Sequence, residues 1–540
     1  MKIIVADRIS EHGVKLLADP GWQVVQPAAA SLASELAEAD ALVVRSATRV
    51  TDELLSQARR LRVIGRAGVG VDNIDLDAAT RRGILVMNTP GGNAPSVAEH
   101  TLALMLSMAR SIPQLNASMH AGKWEKSGAA GAELRGKTLG LIGLGRVGAE
   151  VARRARALEM RVLAYDPYVS TERAAEWGAE LVPLTELLAR ADYVSLHTAL
   201  STATERMINA ETLKQMKPGA RLVNAARGEL VDEAALAEAL RAKHLAGAAL
   251  DVFAEEPPRN SPLLQMPNLI ATPHVGGSTA EAQEEVGVQI AQQVREYLQD
   301  GTMRNSVNLP PIPPEQYRRL RPYLDLAERM ASLVAQAAPF PARRLRLACA
   351  GEPAELGTRV LRSAALAGVL NAVLDEHVNL VNATARAAER GLEIEEGRRP
   401  RERGIADVLE IAAYSAGDGK RREFSALGTI LYGTTPRVLQ INGIACEAPL
   451  EGNLLVITNR DVPGVIGQVG TLLGSQGLNI ATFALGRRDP NLGAEALAIV
   501  QLDGEVSEAI LPRLRAIPNV MEARIVRLPL AAPAVTSAAS

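Results

Sequence analysis

The chain has 540 residues, too many for one hydrophobic core, and ordinary domain sizes predict three or four folding units. Lys and Arg number 59 against 61 Asp and Glu, a formal net charge of -2, so no field of one sign is available to draw in nucleic acid or an anionic membrane. Two cysteines, Cys349 and Cys446, exclude a disulfide framework and a multi-thiolate zinc site, so no metal is expected and a reducing, cytoplasmic setting fits.

The opening MKIIVADRIS places Asp7 and Arg8 directly after a short apolar run, which predicts a first strand rather than a secretory signal. No apolar stretch approaches the roughly eighteen residues needed to cross a bilayer. Strands are predicted at 2–6, 41–45, 62–66 and 84–88, alternating with helix-like segments. That rhythm implies a parallel sheet with ligands at the carboxyl ends of its strands, where Arg45, Arg66 and Asn93 fall.

Residues 96–110 are apolar on nearly every face and predict a buried helix at a domain or subunit junction. A second block follows, with strands expected at 138–142, 161–165, 193–197, 221–225, 247–250 and 269–272, a complete doubly wound sheet. The periodic stretch 280–298 then carries the chain back onto the first domain. Pro310, Pro311, Pro313 and Pro314 stiffen a linker, after which 317–336 reads as an amphipathic helix and the chain to about 445 as α+β. From Asn453 to Leu528 the order is βαββαβ, a ferredoxin-like unit, and the last residues have no periodicity.

Gly143, Gly145 and Gly148 form G-x-G-x-x-G directly after the apolar run TLGLI and at the head of a helix. The first glycine permits the turn, the second lets backbone N–H groups approach a pyrophosphate, and the third lets helix pack on strand. The next strand ends in Asp166, whose carboxylate is placed to hold ribose hydroxyls and to repel a 2′-phosphate, favouring NAD over NADP.

Downstream, Arg227 in NAARGELVD, Glu256 in DVFAEEPP and His274 in ATPHVGGST each sit beyond the end of a predicted strand. Together they suit alcohol oxidation beside a nicotinamide. His274 accepts the hydroxyl proton, Glu256 fixes its tautomer and stabilises the imidazolium, and Arg227 holds a substrate carboxylate and polarises the developing carbonyl.

In that order GLGRVG, YDP, NAARGELVD, DVFAEEPP and TPHVGGST resemble the signature stretches of D-isomer-specific 2-hydroxyacid dehydrogenases. The resemblance implies the same roles for Arg227, Glu256 and His274, and cofactor contacts at Arg146, Val147, Asp166, Thr198, Ala225, Ala226, Asp251, Gly276 and Gly277. VVRSATRVT, GRAGVGVDNID and NTPGGNAPSVAEH are similar to the substrate loops of phosphoglycerate dehydrogenases, which implies a cavity lined by Arg45, Ser46 and Asn93 with Arg66 nearby. Lys126 in GKWEK would add a cation for a phosphate; it stands where that family commonly has arginine, which sets this role apart from the others.

The resemblance continues to Leu528: ALGTILYGTTPRVLQINGI looks like the end of the intervening domain of long phosphoglycerate dehydrogenases, and RDVPGVIGQVGTLLGSQGLNIA looks like an ACT domain. It implies an α/β protein divided into a flavodoxin-like substrate domain (1–96 and 286–305), a Rossmann NAD domain (97–285), an intervening domain (315–446), an ACT domain (452–528) and a disordered tail (529–540). It further implies oxidation of 3-phosphoglycerate to 3-phosphooxypyruvate, the step that opens L-serine biosynthesis, in a homodimer or homotetramer. L-Serine would be an effector held by Asn459, Asp461 and Asn479. A glyoxylate or hydroxypyruvate reductase would share the catalytic trio but not the long extension after Asn305, and a non-catalytic NAD-sensing scaffold would not need Arg227, Glu256 and His274 together.

Overall fold

A computed structural model describes residues 1–126, 130–259, 261–400, 405–415, 422–491 and 493–530. Of the tail expected to be disordered, residues 531–540 lie outside the described residues. Among the described residues no helix is long and apolar enough to cross a membrane, and no group of His, Cys, Asp or Glu is arranged to hold a metal ion.

The first sheet is parallel, in the order Gln23–Val25, Lys2–Val5, Ala41–Val44, Val63–Arg66, Leu85–Met87, which is the flavodoxin-like order. Its central strands are buried on both faces, as the unbroken apolar run ALVV requires. The edge strand Gln23–Val25 was not expected; it is three residues long and half-exposed, so its sequence carries little apolar signal. The second sheet has seven parallel strands, one more than expected, because the two-residue strand Glu180–Leu181 extends one edge. Its chain order reverses between Thr138–Ile142 and Tyr193–Leu196, the switch point where α/β sheets bind ligands.

Two helices join these layers. Ala94–Arg110 buries Ala98, Leu102 and Met105 and packs on the helix Arg146–Ala157. Ala280–Asp300, capped by Thr279, returns to the first sheet and lays Ile290 and Val294 over Gly65. A side chain at Gly65 would meet both, so glycine there lets helix and sheet approach.

Beyond the proline linker the helix Pro314–Ala337 lies against a six-stranded sheet, in which Glu393–Arg398 runs parallel to Arg344–Ala350 and the other neighbours pair antiparallel. The last unit is the expected βαββαβ fold, with sheet order Ile480–Arg487, Glu495–Leu502, Gly452–Arg460, Val520–Leu528. One apolar cluster runs through Ile3 and Ile290, then Leu320 and Leu347, then Leu454 and Val526, linking the first sheet to both C-terminal units. Arg329, nearly fully buried, ties this junction by donating to the carbonyls of Leu450 at 2.9 Å and Pro529 at 2.5 Å.

Candidate active site

The glycine turn is built for close approach. Gly143 has φ 94, and a Cβ there would lie 2.5 Å from the carbonyl oxygen of His197. A Cβ on Gly148 would lie 2.3 Å from the Gly143 carbonyl, whereas Gly145 faces open space at the head of the helix Arg146–Ala157. The first-turn N–H groups of that helix have no side-chain cap, so an anionic diphosphate fits here both sterically and electrostatically. Asp166 braces the turn: Leu144 N–H donates to its Oδ2 at 2.8 Å and Tyr168 N–H to its Oδ1 at 2.9 Å.

A cleft of about 460 Å³ runs from this turn between the two sheets. Arg146, Val147, Thr198, Ala225, Ala226, Asp251, Gly276 and Gly277 all line it, together with Arg227 and His274. The guanidinium of Arg146 bonds the Pro90 carbonyl, bridging to the crossover segment. His197, on the cleft wall, sits with Nε2 2.9 Å from Ser195 Oγ; burial pushes its pKa down to about 4, so the ring is neutral at pH 7.

At the reactive end, His274 Nδ1 lies 2.7 Å from Glu256 Oε2, and Glu256 Oε1 accepts from Phe253 N–H at 3.2 Å. The His274 backbone, at φ 52, is held by its N–H to the Asp251 carbonyl at 2.8 Å. Asp251 anchors the whole turn, accepting from Thr272 Oγ1 at 2.6 Å, Val275 N–H at 2.9 Å and Gly276 N–H at 2.8 Å, with His100 Nε2 at 3.4 Å. Its burial opposes ionisation, but these hydrogen bonds outweigh burial and hold its carboxyl below the ordinary range. Asn224, fully buried, fixes the Arg227 loop by accepting from Ala226 N–H at 3.0 Å and donating to the Arg227 carbonyl at 2.7 Å. Neither His100 nor Asn224 was expected from the sequence; the asparagine ending an otherwise apolar strand in LVNAARG was the only signal.

A second cleft, of about 610 Å³, opens on the other side of His274 and is lined by Ser46, Arg66, Asp72, Arg227 and Glu256. Burial, and then the neighbouring Arg227, push the Arg66 pKa down to about 10. Its Nε is buried and has no hydrogen-bond partner among the described residues.

Of the other expected substrate contacts, two line neither cleft and the third lines the nucleotide cleft beside Arg227 and His274. The Arg45 guanidinium turns to the Arg8 carbonyl at 3.3 Å and lines neither cleft, because Asp7 Oδ2 takes the Arg45 N–H at 2.6 Å and holds that turn back. Asn93 lines the nucleotide cleft rather than the second one, packed against Gly277. Lys126 is exposed and lines neither; it follows the helix Ile112–His120, none of whose residues is buried.

The three expected effector contacts do not converge within one chain. Asn459 is buried and donates to the Arg460 carbonyl at 2.8 Å, and Asp461 pairs with Arg487 at 2.9 Å. Asn479 donates to Asp503 at 2.7 Å at the opposite end of the sheet, since Arg460 pairs Glu495 while Ile480 pairs Leu502. Seven residues of extended strand separate those ends, roughly 25 Å.

Family models match three consecutive stretches: the NAD-binding domain of D-isomer-specific 2-hydroxyacid dehydrogenases over residues 102–276, the D-3-phosphoglycerate dehydrogenase intervening domain over 319–442, and an ACT domain over 453–519. The chain is 41% identical over 531 residues to a D-3-phosphoglycerate dehydrogenase of Methanocaldococcus jannaschii, covering 98% of this chain and 100% of that one. It is 39% identical over 529 residues to the enzyme of the same name from Bacillus subtilis, with the same coverage of both. Among solved structures, a D-lactate dehydrogenase from Aquifex aeolicus, complexed with NAD and lactic acid, superposes with TM-score 0.50 at 31% identity over 56% of this chain and 96% of that one. A glyoxylate reductase from Paecilomyes thermophila gives TM-score 0.51 at 30% identity, over 56% and 97%. These likenesses cover about the length of the first two domains, whereas the sequence relatives span the intervening and ACT units as well. The chain therefore belongs to the D-isomer-specific 2-hydroxyacid dehydrogenase family and, within it, to the D-3-phosphoglycerate dehydrogenases built with an intervening domain and an ACT domain.

Proposed function

We propose that the chain oxidises 3-phospho-D-glycerate to 3-phosphooxypyruvate with NAD as the hydride acceptor. The observation that carries this reading is the convergence of the His274–Glu256 pair, Arg227 and Arg66 on one cleft between the two sheets. Bound at the glycine turn, NAD supplies the two-electron redox chemistry. The turn from Gly143 through Gly148 with Arg146 and Val147 holds the diphosphate, Asp166 the ribose, and the walls from Thr198, Ala225, Ala226, Asp251, Gly276 and Gly277 the remainder. His274 takes the 2-hydroxyl proton on Nε2 while Glu256 holds Nδ1–H, so one ring nitrogen is kept free as acceptor. Arg227 holds the carboxylate, and Arg66 with Ser46 receives the phosphate.

Each ACT unit offers Asn459 and Asp461 at one end of its sheet and Asn479 at the other. An L-serine site would thus be completed between two copies, so the working state is a homodimer or homotetramer. The exposed Leu106, Ile112 and Trp124 supply further apolar surface for such assembly. Cys349 and Cys446, free and buried, suit the cytoplasm. The test is initial-rate NADH formation from 3-phosphoglycerate and from D-glycerate, each with and without L-serine. Preference for the phosphorylated acid supports the reading; preference for plain glycerate makes the chain a different 2-hydroxyacid dehydrogenase.

A further inference from the structure

Arg227 follows the strand Arg221–Asn224 of the nucleotide sheet, yet its guanidinium is engaged from the other domain. Its Nε donates to Asp72 Oδ2 at 3.1 Å, and Nη2 lies 3.1 Å from the same oxygen. Asp72 belongs to the loop after the strand Val63–Arg66, so this contact spans the cleft. On its other side, Nη1 donates to the Ala226 carbonyl at 2.7 Å. A guanidinium has five N–H donors in one plane. Among the described residues these contacts leave one N–H on each terminal nitrogen unpartnered, the pair that matches the two oxygens of a carboxylate.

The same loop makes room for the group. A Cβ on Gly70 would lie 2.1 Å from Nη2 of Arg227 and 2.8 Å from Asp72 Oδ2. Gly70 is not among the residues with positive φ, so glycine serves here for space rather than for backbone freedom. The Asp72 side chain is 67% exposed, and an ion pair this open contributes little to stability. What it contributes is direction.

We propose that Asp72 is a positioning residue for the reaction, fixing the plane of the Arg227 guanidinium from across the cleft so that its terminal edge meets the substrate carboxylate. This rests on the reading of Arg227 as the carboxylate holder. Because the two side chains come from different domains, the alignment of the arginine depends on how those domains meet. The same contact would act oppositely if Asp72 merely occupied the place of the substrate carboxylate: its removal would then tighten substrate binding and leave turnover alone.

The experiment uses the full-length enzyme and compares wild type with Asp72→Ala, Asp72→Asn, Arg227→Lys and both Asp72 changes in the Arg227→Lys background. Asp72→Ala is expected to lose on the order of a hundredfold in kcat/KM, the cost of a misplaced binding group, with unchanged NAD affinity. Asp72→Asn, whose amide oxygen still accepts, should recover roughly tenfold of that loss. In the Arg227→Lys background the Asp72→Ala change should cost less than about threefold, because the plane it orients is gone. A lower KM with wild-type kcat in Asp72→Ala overturns the proposal, as does a full penalty that persists beside Arg227→Lys. If Asp72→Ala fails to fold, Asp72→Asn decides: wild-type kcat/KM there, or a loss that persists in full beside Arg227→Lys, overturns the proposal equally. If wild type prefers another 2-hydroxyacid, the variants are read on that substrate, so the substrate assignment falls without taking Asp72 with it.

Discussion

Glu256 Oε2 lies 2.7 Å from His274 Nδ1, and its other oxygen accepts from the Phe253 N–H at 3.2 Å, so both oxygens orient the carboxylate toward the ring. The pair acts as one unit, and units of this kind lose activity non-additively. His274→Ala should reduce kcat on the order of a hundredfold or more. Glu256→Gln should cost less, and the double variant no more than His274→Ala alone. Steady-state turnover of the three variants checks this; additive losses would mean that the carboxylate acts on something other than the imidazole.

Asp166 has two tasks, which predicts a mixed phenotype. Its oxygens are held by Leu144 N–H and Tyr168 N–H, so the carboxylate braces the glycine turn, and on the proposed function it also holds the ribose. Asp166→Ser should narrow the preference for NAD over NADP and also weaken NAD binding, since the Leu144 N–H loses a charged acceptor worth about 1.5–3 kcal/mol. Dissociation constants for both nucleotides measure the two effects separately. Unchanged selectivity with weakened NAD binding would leave only the bracing role.

His197 gives the fold a pH dependence of known sign. Its ring, half-buried in the cleft wall, has a pKa pushed by desolvation from 6.5 down to about 4 in the folded protein. As pH falls below 6.5 the unfolded chain takes up this proton first, so the stability tied to the neutral ring is complete above 6.5 and is lost between 6.5 and about 4. At about 1.4 kcal/mol per pH unit, the loss is on the order of 3 kcal/mol. His197→Gln, which keeps a polar partner for Ser195, should flatten the fall of Tm across that window. Parallel curves for wild type and variant would assign the slope to other groups.

The sequence made legible whatever is written in consecutive residues. ALVV is buried on both faces and reads as a central strand; GLGRVG follows a strand and starts a helix. Gln23–Val25 and Glu180–Leu181 escaped because edge strands of two or three half-exposed residues bury too little to leave a pattern. Partners distant along the chain escaped for another reason. Asp72 and Arg227 are 155 residues apart, and nothing local to either announces the other. Asn459, Asp461 and Asn479 were legible as a motif, but the sheet order places them at opposite ends, which only topology decides.

On the proposed function, Arg66 is the group expected to discriminate between a phosphorylated and a plain 2-hydroxyacid. Its Nη1 lies where a Cβ on Gly68 would be, 1.6 Å from the built position, so the guanidinium rests on the loop backbone. Its Nε has no partner among the described residues, and even with its pKa pushed down to about 10 by burial and by Arg227 it stays charged at assay pH. A half-buried, charged guanidinium with its Nε buried and unpartnered, beside a second guanidinium, is unfavourable until an anion arrives, and a dianionic phosphate relieves both costs. Arg66→Ala should therefore lower kcat/KM for 3-phosphoglycerate by about 1.5–3 kcal/mol in transition-state terms, roughly ten- to a hundredfold, and leave D-glycerate nearly untouched. Arg66→Lys, which keeps the charge but not the fork, should fall between. Equal losses on both acids would show that Arg66 supports the loop and that the phosphate is read by another group.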